Sequence, residues 1–365
     1  MIIKELLLYI LVITTATSAC SKKDSNNNAP DDPGNPTNGT GDFKATTTLI
    51  AGSVTEFGST TNTTPLNARF SGITKLVLDN RDNKTALYVI DQSDADLRII
   101  DDKGVRTVSN VVGVYGLAQG ICLAPGGAGK VYITSGYGQL VEFDVNRSYD
   151  WGTNPRVIID RNAPNGNITG VGGTRGLVAD ANGNIYLGNS YYNTVTQYNP
   201  ATKTIVPFAG KPLKEMTEEV PPFADGNATT KAVFGNVADV AITLGGKMYV
   251  ADRLYRTIRE VENGNVRALF SPSPYPYENY IQPSVDGTLD KAKSGMIRYV
   301  AVPAGDKNRV FFTTSGTLRL ILLNEKQVIS LATFSEGIYG IAPTADGKTV
   351  YVVKGHGIIK VELGK

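Results

Sequence analysis

The sequence contains few of the residues that catalytic metal sites and disulfides require. Among 365 residues there is one histidine, His356, and there are two cysteines, Cys20 and Cys122. Catalytic zinc usually takes several histidine ligands, or histidine with a carboxylate or a thiolate, so zinc chemistry is disfavoured. Cys122 stands in the apolar run Gly120–Ala124, which favours a buried, unpaired side chain.

The charge is nearly balanced, and the common nucleophile and phosphate motifs are absent. Lys and Arg number 36 and Asp and Glu 34, which gives a formal net charge of +2. A nucleic-acid surface requires clustered positive charge, so no nucleic-acid partner is expected. There is no Gly-x-Ser-x-Gly, P-loop or His-Glu-x-x-His sequence, and Gly170–Gly173 lacks the strand-to-helix context of a dinucleotide fingerprint.

The apolar run near the N-terminus, Leu6–Ile13, is too short to span a bilayer as a helix. Lys4 precedes it and the small residues Thr14–Ala19 follow it, which is the order of a signal peptide over residues 1–19. Ser18-Ala19-Cys20 resembles the bacterial lipobox, although Thr17 stands where leucine is usual. The resemblance implies a lipidated Cys20 that anchors the protein to a membrane. The alternative is a plain secretory signal.

Residues 20–45 are predicted to be the lipidated cysteine and a flexible tether. They are rich in Asn, Asp, Pro, Gly and Thr and nearly free of large apolar side chains, so they cannot bury enough surface to fold. Ser21–Asp24 resembles the export signals of surface lipoproteins in Bacteroidetes-like bacteria. The resemblance implies a location in the cell envelope, at the outer membrane and exposed at the surface.

Residues 46–365 contain six copies of one pattern, which predicts an all-β repeat architecture. Each copy has an apolar strand, a turn with Asp, Asn or Gly, a second strand around an aromatic, a short loop and a third alternating strand. The third copy is the clearest, with the hairpin turn Ala181–Asn184 between two apolar runs. The aromatics recur every 40 to 60 residues or so, as in four-stranded propeller blades. They are Tyr88, Tyr132, Tyr186, Tyr249, Phe311 and Tyr351.

One copy carries a family resemblance over its full length. Asp239–Ile242, Gly246–Asp252 and Arg256–Val261 are similar to the strand, the aromatic strand and the Arg-x-Ile-Arg stretch of NHL repeats. Asn67–Phe70 and Lys231–Phe234 resemble the segment that joins NHL blades. The chain is therefore identified as an NHL-type six-bladed β-propeller, and a propeller hosts many unrelated functions.

The last copy, Gly340–Leu363, supplies three strands and lacks a fourth. Thr46–Gly52 resembles the fourth strand of other copies, such as Thr204–Gly210, and stands alone before the first copy. We therefore expect the N-terminal strand to complete the C-terminal blade and close the ring, which removes exposed sheet edges.

Residues just before the innermost strand of each blade are expected to surround one mouth of the central channel. In the six copies they are Lys75, Gln119, Arg175, Asp239, Arg298 with Tyr299, and Tyr339. This polar ring contains more cationic than anionic residues. It suits an anionic or polyhydroxylated small ligand, with Arg175 and Arg298 as fork-shaped donors. The alternative is a solvated channel.

Long insertions at 161–174, 211–235 and 271–295 are expected on the same face, where binding residues often lie. Tyrosine suits contact with sugar rings, peptides or proteins, because it combines a flat apolar face with a polar tip. The alternative is loop packing. The candidates are Tyr191, Tyr192, Tyr275, Tyr277 and Tyr280.

Two functions stay open. The first is a binding module for a glycan, peptide or protein, with no catalytic residue and no cofactor. The second is a calcium-dependent small-molecule hydrolase of lactonase type, a class found among six-bladed propellers. It would need only oxygen ligands, for which Asp91, Asn189 and Asp239 are candidates. We favour the binding module.

Overall fold

Short alternating strands separated by Gly, Asn and Asp turns form six antiparallel sheets in this computed structural model. The structure describes residues 43–60, 62–81, 85–91, 96–109, 118–125, 127–135, 138–147, 155–160, 173–211, 222–272 and 283–364. The predicted signal peptide and Cys20 lie outside these residues. Within the described residues, no helix has the length and hydropathy of a membrane span.

The first three sheets, which we call blades 1 to 3, have four strands each. Blade 1 contains β2 (Ile73–Asp79), β3 (Ala86–Asp91), β4 (Asp96–Asp101) and β5 (Gly104–Ser109). Blade 2 contains β6 (Ala118–Leu123), β7 (Lys130–Ser135), β8 (Leu140–Asp144) and β9 (Arg156–Ile159). Blade 3 contains β10 (Thr174–Ala179), β11 (Ile185–Asn189), β12 (Thr194–Asn199) and β13 (Thr204–Ala209). A 3-10 turn at Pro65–Asn67 precedes blade 1.

Blades 4 and 5 have five strands, and blade 6 has four. Blade 4 contains β14 (Gly226–Asn227), β15 (Val237–Ile242), β16 (Met248–Asp252), β17 (Thr257–Glu262) and β18 (Asn265–Ala268). Blade 5 contains β19 (Gly287–Thr288), β20 (Val300–Ala301), β21 (Arg309–Thr313), β22 (Thr317–Leu322) and β23 (Gln327–Thr333). Blade 6 contains β1 (Lys44–Ser53), β24 (Ile338–Pro343), β25 (Thr349–Lys354) and β26 (His356–Gly364).

The blades form a ring, because the innermost strand of each contacts that of the next and β24 contacts β2. Successive side chains of a strand point to opposite faces, so both faces of a blade pack against neighbours. Six apolar clusters result, one between each pair of adjacent blades. Cys122 lies in the cluster between blades 2 and 3 as expected, and burial raises the pKa of its thiol. The six-bladed, all-β prediction is confirmed.

The predicted closure is confirmed as well. Strand β1 pairs antiparallel with β26, with Thr47 opposite Val361, and becomes the outer strand of blade 6. The six repeated aromatics lie in the second strand of their blades, counted outward from the channel, at the positions that the spacing predicted.

Two of the long insertions contain strands that the sequence analysis did not predict. Strand β14 pairs with β18, and β19 pairs with β23, so each adds a fifth strand outside a four-stranded blade. A buried arginine holds each addition to its blade. Arg259 donates to Asp225 over 2.6 Å, and Arg319 donates to Asp286 over 2.7 Å.

Candidate functional site

The innermost strands share a β-bulge at the same end of the channel. In five blades the register of the first and second strands shifts by one residue there, so one residue has no partner opposite it. A bulge changes the direction of a side chain, which here brings a ring of side chains to the channel mouth. The bulged residues are Thr74, Gln119, Arg175, Ala238 and Tyr339.

These bulges surround a cavity of about 380 Å³ at the channel mouth. Its lining residues are Thr74, Lys75, Ala118, Gln119, Arg175, Ala238, Arg253, Arg298 and Tyr299. Five of the residues predicted for the mouth therefore meet at one cavity. Tyr339, the bulged residue of blade 6, lies near Tyr299 and is 38% exposed.

Asp239 lies below this ring and pairs with Lys75, which forms the floor of the cavity. The Lys75 Nζ donates to Asp239 Oδ1 over 2.8 Å, and it lies 4.9 Å from the centre of the Tyr299 ring. The backbone N–H of Val300 donates to the other carboxylate oxygen. Lys75 belongs to blade 1 and Asp239 to the opposite blade 4, so the ion pair crosses the channel. Because of the bulges, Ala238 stands at the mouth position predicted for Asp239.

Burial shifts the pKa of two groups at this floor. It raises the pKa of the Asp239 carboxyl, and the Lys75 ammonium opposes that rise. Burial, with the Asp239 carboxylate, also raises the pKa of Tyr299 to about 12. The Tyr299 hydroxyl therefore keeps its proton at neutral pH and can donate a hydrogen bond.

A second cavity of about 280 Å³ continues the channel on the other side of the ion pair. Lys75 and Tyr299 line both cavities, whereas Asp239 lines the second one. The remaining walls of the second cavity are mostly aliphatic and come from all six innermost strands. They include Leu78, Leu123, Val178, Ile242, Val302 and Pro343. The channel thus has a polar chamber at the mouth and an apolar chamber below it.

Three buried polar atoms at the mouth have no hydrogen-bond partner among the described residues. They are Thr74 Oγ1, Gln119 Oε1 and Arg298 Nε. Buried polar groups in folded proteins are nearly always paired, so three unpaired atoms in one cavity indicate a place where a ligand or water completes the bonding.

Tyr191 and Tyr192 lie on the same face, in the turn after β11. The side-chain oxygen of Asn189 accepts the N–H of both residues and holds the turn. The Tyr191 ring rests on Gly173, two residues before Arg175, and the two tyrosines stay 58% and 45% exposed. The other predicted tyrosines, Tyr275, Tyr277 and Tyr280, lie outside the described residues.

The oxygen ligands considered for calcium are engaged elsewhere. Asp91 is fully buried, accepts the N–H groups of Ser71 and Gly72, and lies 3.4 Å from Arg98. The hydrolase hypothesis requires Asp91 to line the channel, and it does not. Asn189 holds its own turn, and Asp239 pairs with Lys75. In the part of the chain that the structure describes, no three His, Cys, Asp or Glu side chains form a group suited to a metal.

One lining residue was not anticipated from the sequence. Arg253 follows β16, where its backbone N–H donates to Asn236, and its side chain reaches the mouth. It belongs to a turn between the second and third strands. No repeated pattern sets this arginine apart from other turn residues, so a comparison of the six copies does not reveal it.

No protein-family model matches the chain, and no curated protein matches it. Solved structures that it resembles include an auxiliary nutrient binding protein from Bacteroides thetaiotaomicron (13% identity, TM-score 0.61, 88% of this chain and 77% of that one). Others are a gluconolactonase from Xanthomonas campestris (9%, 0.53, 80% and 86%) and virginiamycin B lyase from Staphylococcus aureus (11%, 0.51, 88% and 100%). At these identities the likeness establishes the fold alone.

Proposed function

We propose that this NHL-type propeller is a binding module for a small polar solute, with its binding site at the channel mouth. One observation carries the proposal. Three arginines and three unpaired buried polar atoms converge on one cavity of about 380 Å³ that a buried ion pair closes from below. A concave pocket with a few convergent polar groups is the usual form of a small-molecule site.

The same site gives less support to hydrolysis. The fold serves both binding proteins and enzymes, so the side chains must decide. Asp239 is the carboxylate that lines the channel in the described part of the chain, and Lys75 Nζ lies 2.8 Å from it, where a calcium ion would have to bind. The calcium-dependent hydrolase is therefore the second candidate.

The test is a binding screen of the full chain against a panel of monosaccharides, sugar acids and amino acids, with and without EDTA. We expect binding that persists in EDTA and weakens at least tenfold in Arg175→Ala and in Arg298→Ala. Arg156→Ala is the matched control, because that exposed arginine pairs with Glu142 on blade 2. Binding that is insensitive to both mouth arginines would contradict the proposal. Hydrolysis that EDTA and Asp239→Asn abolish would support the enzyme.

We also propose that the chain is a lipoprotein of the outer membrane, held through Cys20 and exposed at the cell surface. The predicted signal peptide, the lipobox-like Ser18–Cys20 and the polar residues after it support this. Radiolabelled palmitate should be incorporated by the chain and lost in Cys20→Ser. Equal labelling of both would contradict a lipid at this position.

A further inference from the structure

The mouth has an excess of positive charge on one side. Arg175, Arg253 and Arg298 come from blades 3, 4 and 5, which are consecutive in the ring. Asp239 neutralises Lys75, whereas no carboxylate of the described residues pairs with Arg175 or Arg298. A guanidinium fork matches a planar anion with two oxygens, so this side of the mouth suits a carboxylate.

The opposite side has a different requirement. Gln119 Oε1 and Thr74 Oγ1 lie on blades 2 and 1, where both atoms are buried and unpaired among the described residues. An amide oxygen accepts hydrogen bonds and needs a donor from the ligand. An ionised carboxylate has no hydrogen to donate, whereas a hydroxyl group has one. This side of the mouth therefore suits a ligand hydroxyl.

The size and the wall of the cavity limit what connects these groups. About 380 Å³ is near the lower end of the roughly 300–1,000 Å³ found for small-molecule pockets, which suits a single ring. Tyr339 near the mouth is 38% exposed, and tyrosine rings suit contact with sugar rings. We infer that the ligand is a monosaccharide acid, with its carboxylate toward blades 3–5 and its hydroxyls toward blades 1–2. The inference rests on the proposed function and specifies its ligand class.

The test compares four probes on the full chain by titration calorimetry: D-glucuronate, D-galacturonate, D-glucose and acetate. Glucose lacks the carboxylate of glucuronate, and acetate lacks the hydroxyls. We expect at least one uronate to bind roughly 10- to 100-fold more tightly than glucose and acetate, as one or two charge-assisted hydrogen bonds provide.

Two variants separate the two sides of the site. Arg298→Met should reduce the preference for uronate over glucose. Gln119→Leu should reduce the preference for uronate over acetate while acetate binding stays unchanged. Arg156→Ala should change neither preference.

The outcomes distinguish this inference from the function on which it rests. If glucose binds as well as the uronates, or acetate does, the ligand class is wrong and the binding module stands. If no probe binds at millimolar concentration while the wider panel yields a neutral sugar or an amino acid whose binding depends on Arg175, the ligand class is wrong again, whereas another sugar acid would support it. If the panel also yields none, the proposed function fails with it.

Discussion

Lys75 and Asp239 are 164 residues apart in the chain and form an ion pair across the channel. Their side chains are only 12% and 9% exposed. Removing one partner of a buried pair leaves an uncompensated charge, whereas replacing both with apolar groups is often neutral. The floor of the proposed site should therefore depend on the pair as a unit.

We predict that Lys75→Met lowers the free energy of unfolding by about 3 kcal/mol at pH 7, and that Lys75→Met/Asp239→Leu stays within about 1 kcal/mol of the parent. Burial raises the pKa of Asp239 in the folded protein, and loss of Lys75 removes the group that opposes the rise. A carboxyl whose pKa is higher in the folded than in the unfolded state binds its proton more tightly when folded. The destabilisation that the buried charge causes therefore decreases as pH falls. The deficit of Lys75→Met should shrink between pH 7 and 4.5 in urea unfolding. A deficit that grows on acidification would contradict this account.

The sequence predicted five of the residues that line the mouth, but neither the place of Asp239 below them nor its pairing with Lys75. The apolar pattern of the innermost strand is visible in each copy. Alignment of the copies therefore places Lys75 and Asp239 near the start of that strand. It does not show that a bulge precedes each of them, so Thr74 and Ala238 were missed. It also does not show that blades 1 and 4 face each other, which depends on closure of the whole ring.

The innermost strands of adjacent blades approach closely where a glycine follows the bulge. A Cβ on Gly176 would lie 2.6 Å from the backbone nitrogen of Val240 on the next blade. A Cβ on Gly340 would lie 2.7 Å from Leu76 Cδ2, the end of a side chain. A backbone cannot move aside as a side chain can, so the two glycines should differ in their tolerance of substitution.

We expect Gly176→Ala to lower the free energy of unfolding by about 2–3 kcal/mol, as overpacking does, and Gly340→Ala by less than about 1 kcal/mol. Each variant is the control for the other, since both add one methyl group at equivalent positions. Urea unfolding midpoints of the two variants measure the difference. Equal losses, or a larger loss for Gly340→Ala, would show that the backbone contact does not limit blade spacing.

The added strands β14 and β19 were not predicted from the sequence. Asp225-Gly226 and Asp286-Gly287 open these strands, and their carboxylates accept from the buried Arg259 and Arg319. The repeated Asp-Gly pair is visible in the sequence. A two-residue strand is too short for periodicity to reveal, however, and its partner lies about 40 residues away, so the sequence does not predict these strands.

Ring closure was predicted because a missing strand at one end of the chain matched an extra strand at the other. Strand β1 pairs with β26 from Lys44–Gly364 to Ser53–His356. Ala51 of this strand and Phe70, which follows it in the chain, are fully buried in the cluster between blades 6 and 1. Its removal would expose the edge of β26 and part of an apolar cluster, two features that favour aggregation.

The last prediction compares two truncations of the whole molecule. A chain without residues 1–42 keeps β1 and should unfold cooperatively as a monomer, with a Tm close to that of the full chain. A chain without residues 1–53 lacks β1 and should lose several kcal/mol, a fall in Tm of roughly 10 °C, and should associate through the free edge. Scanning calorimetry and light scattering measure both effects. An unchanged Tm with a monodisperse monomer would mean that the five other blades and three strands of blade 6 hold the ring without this strand.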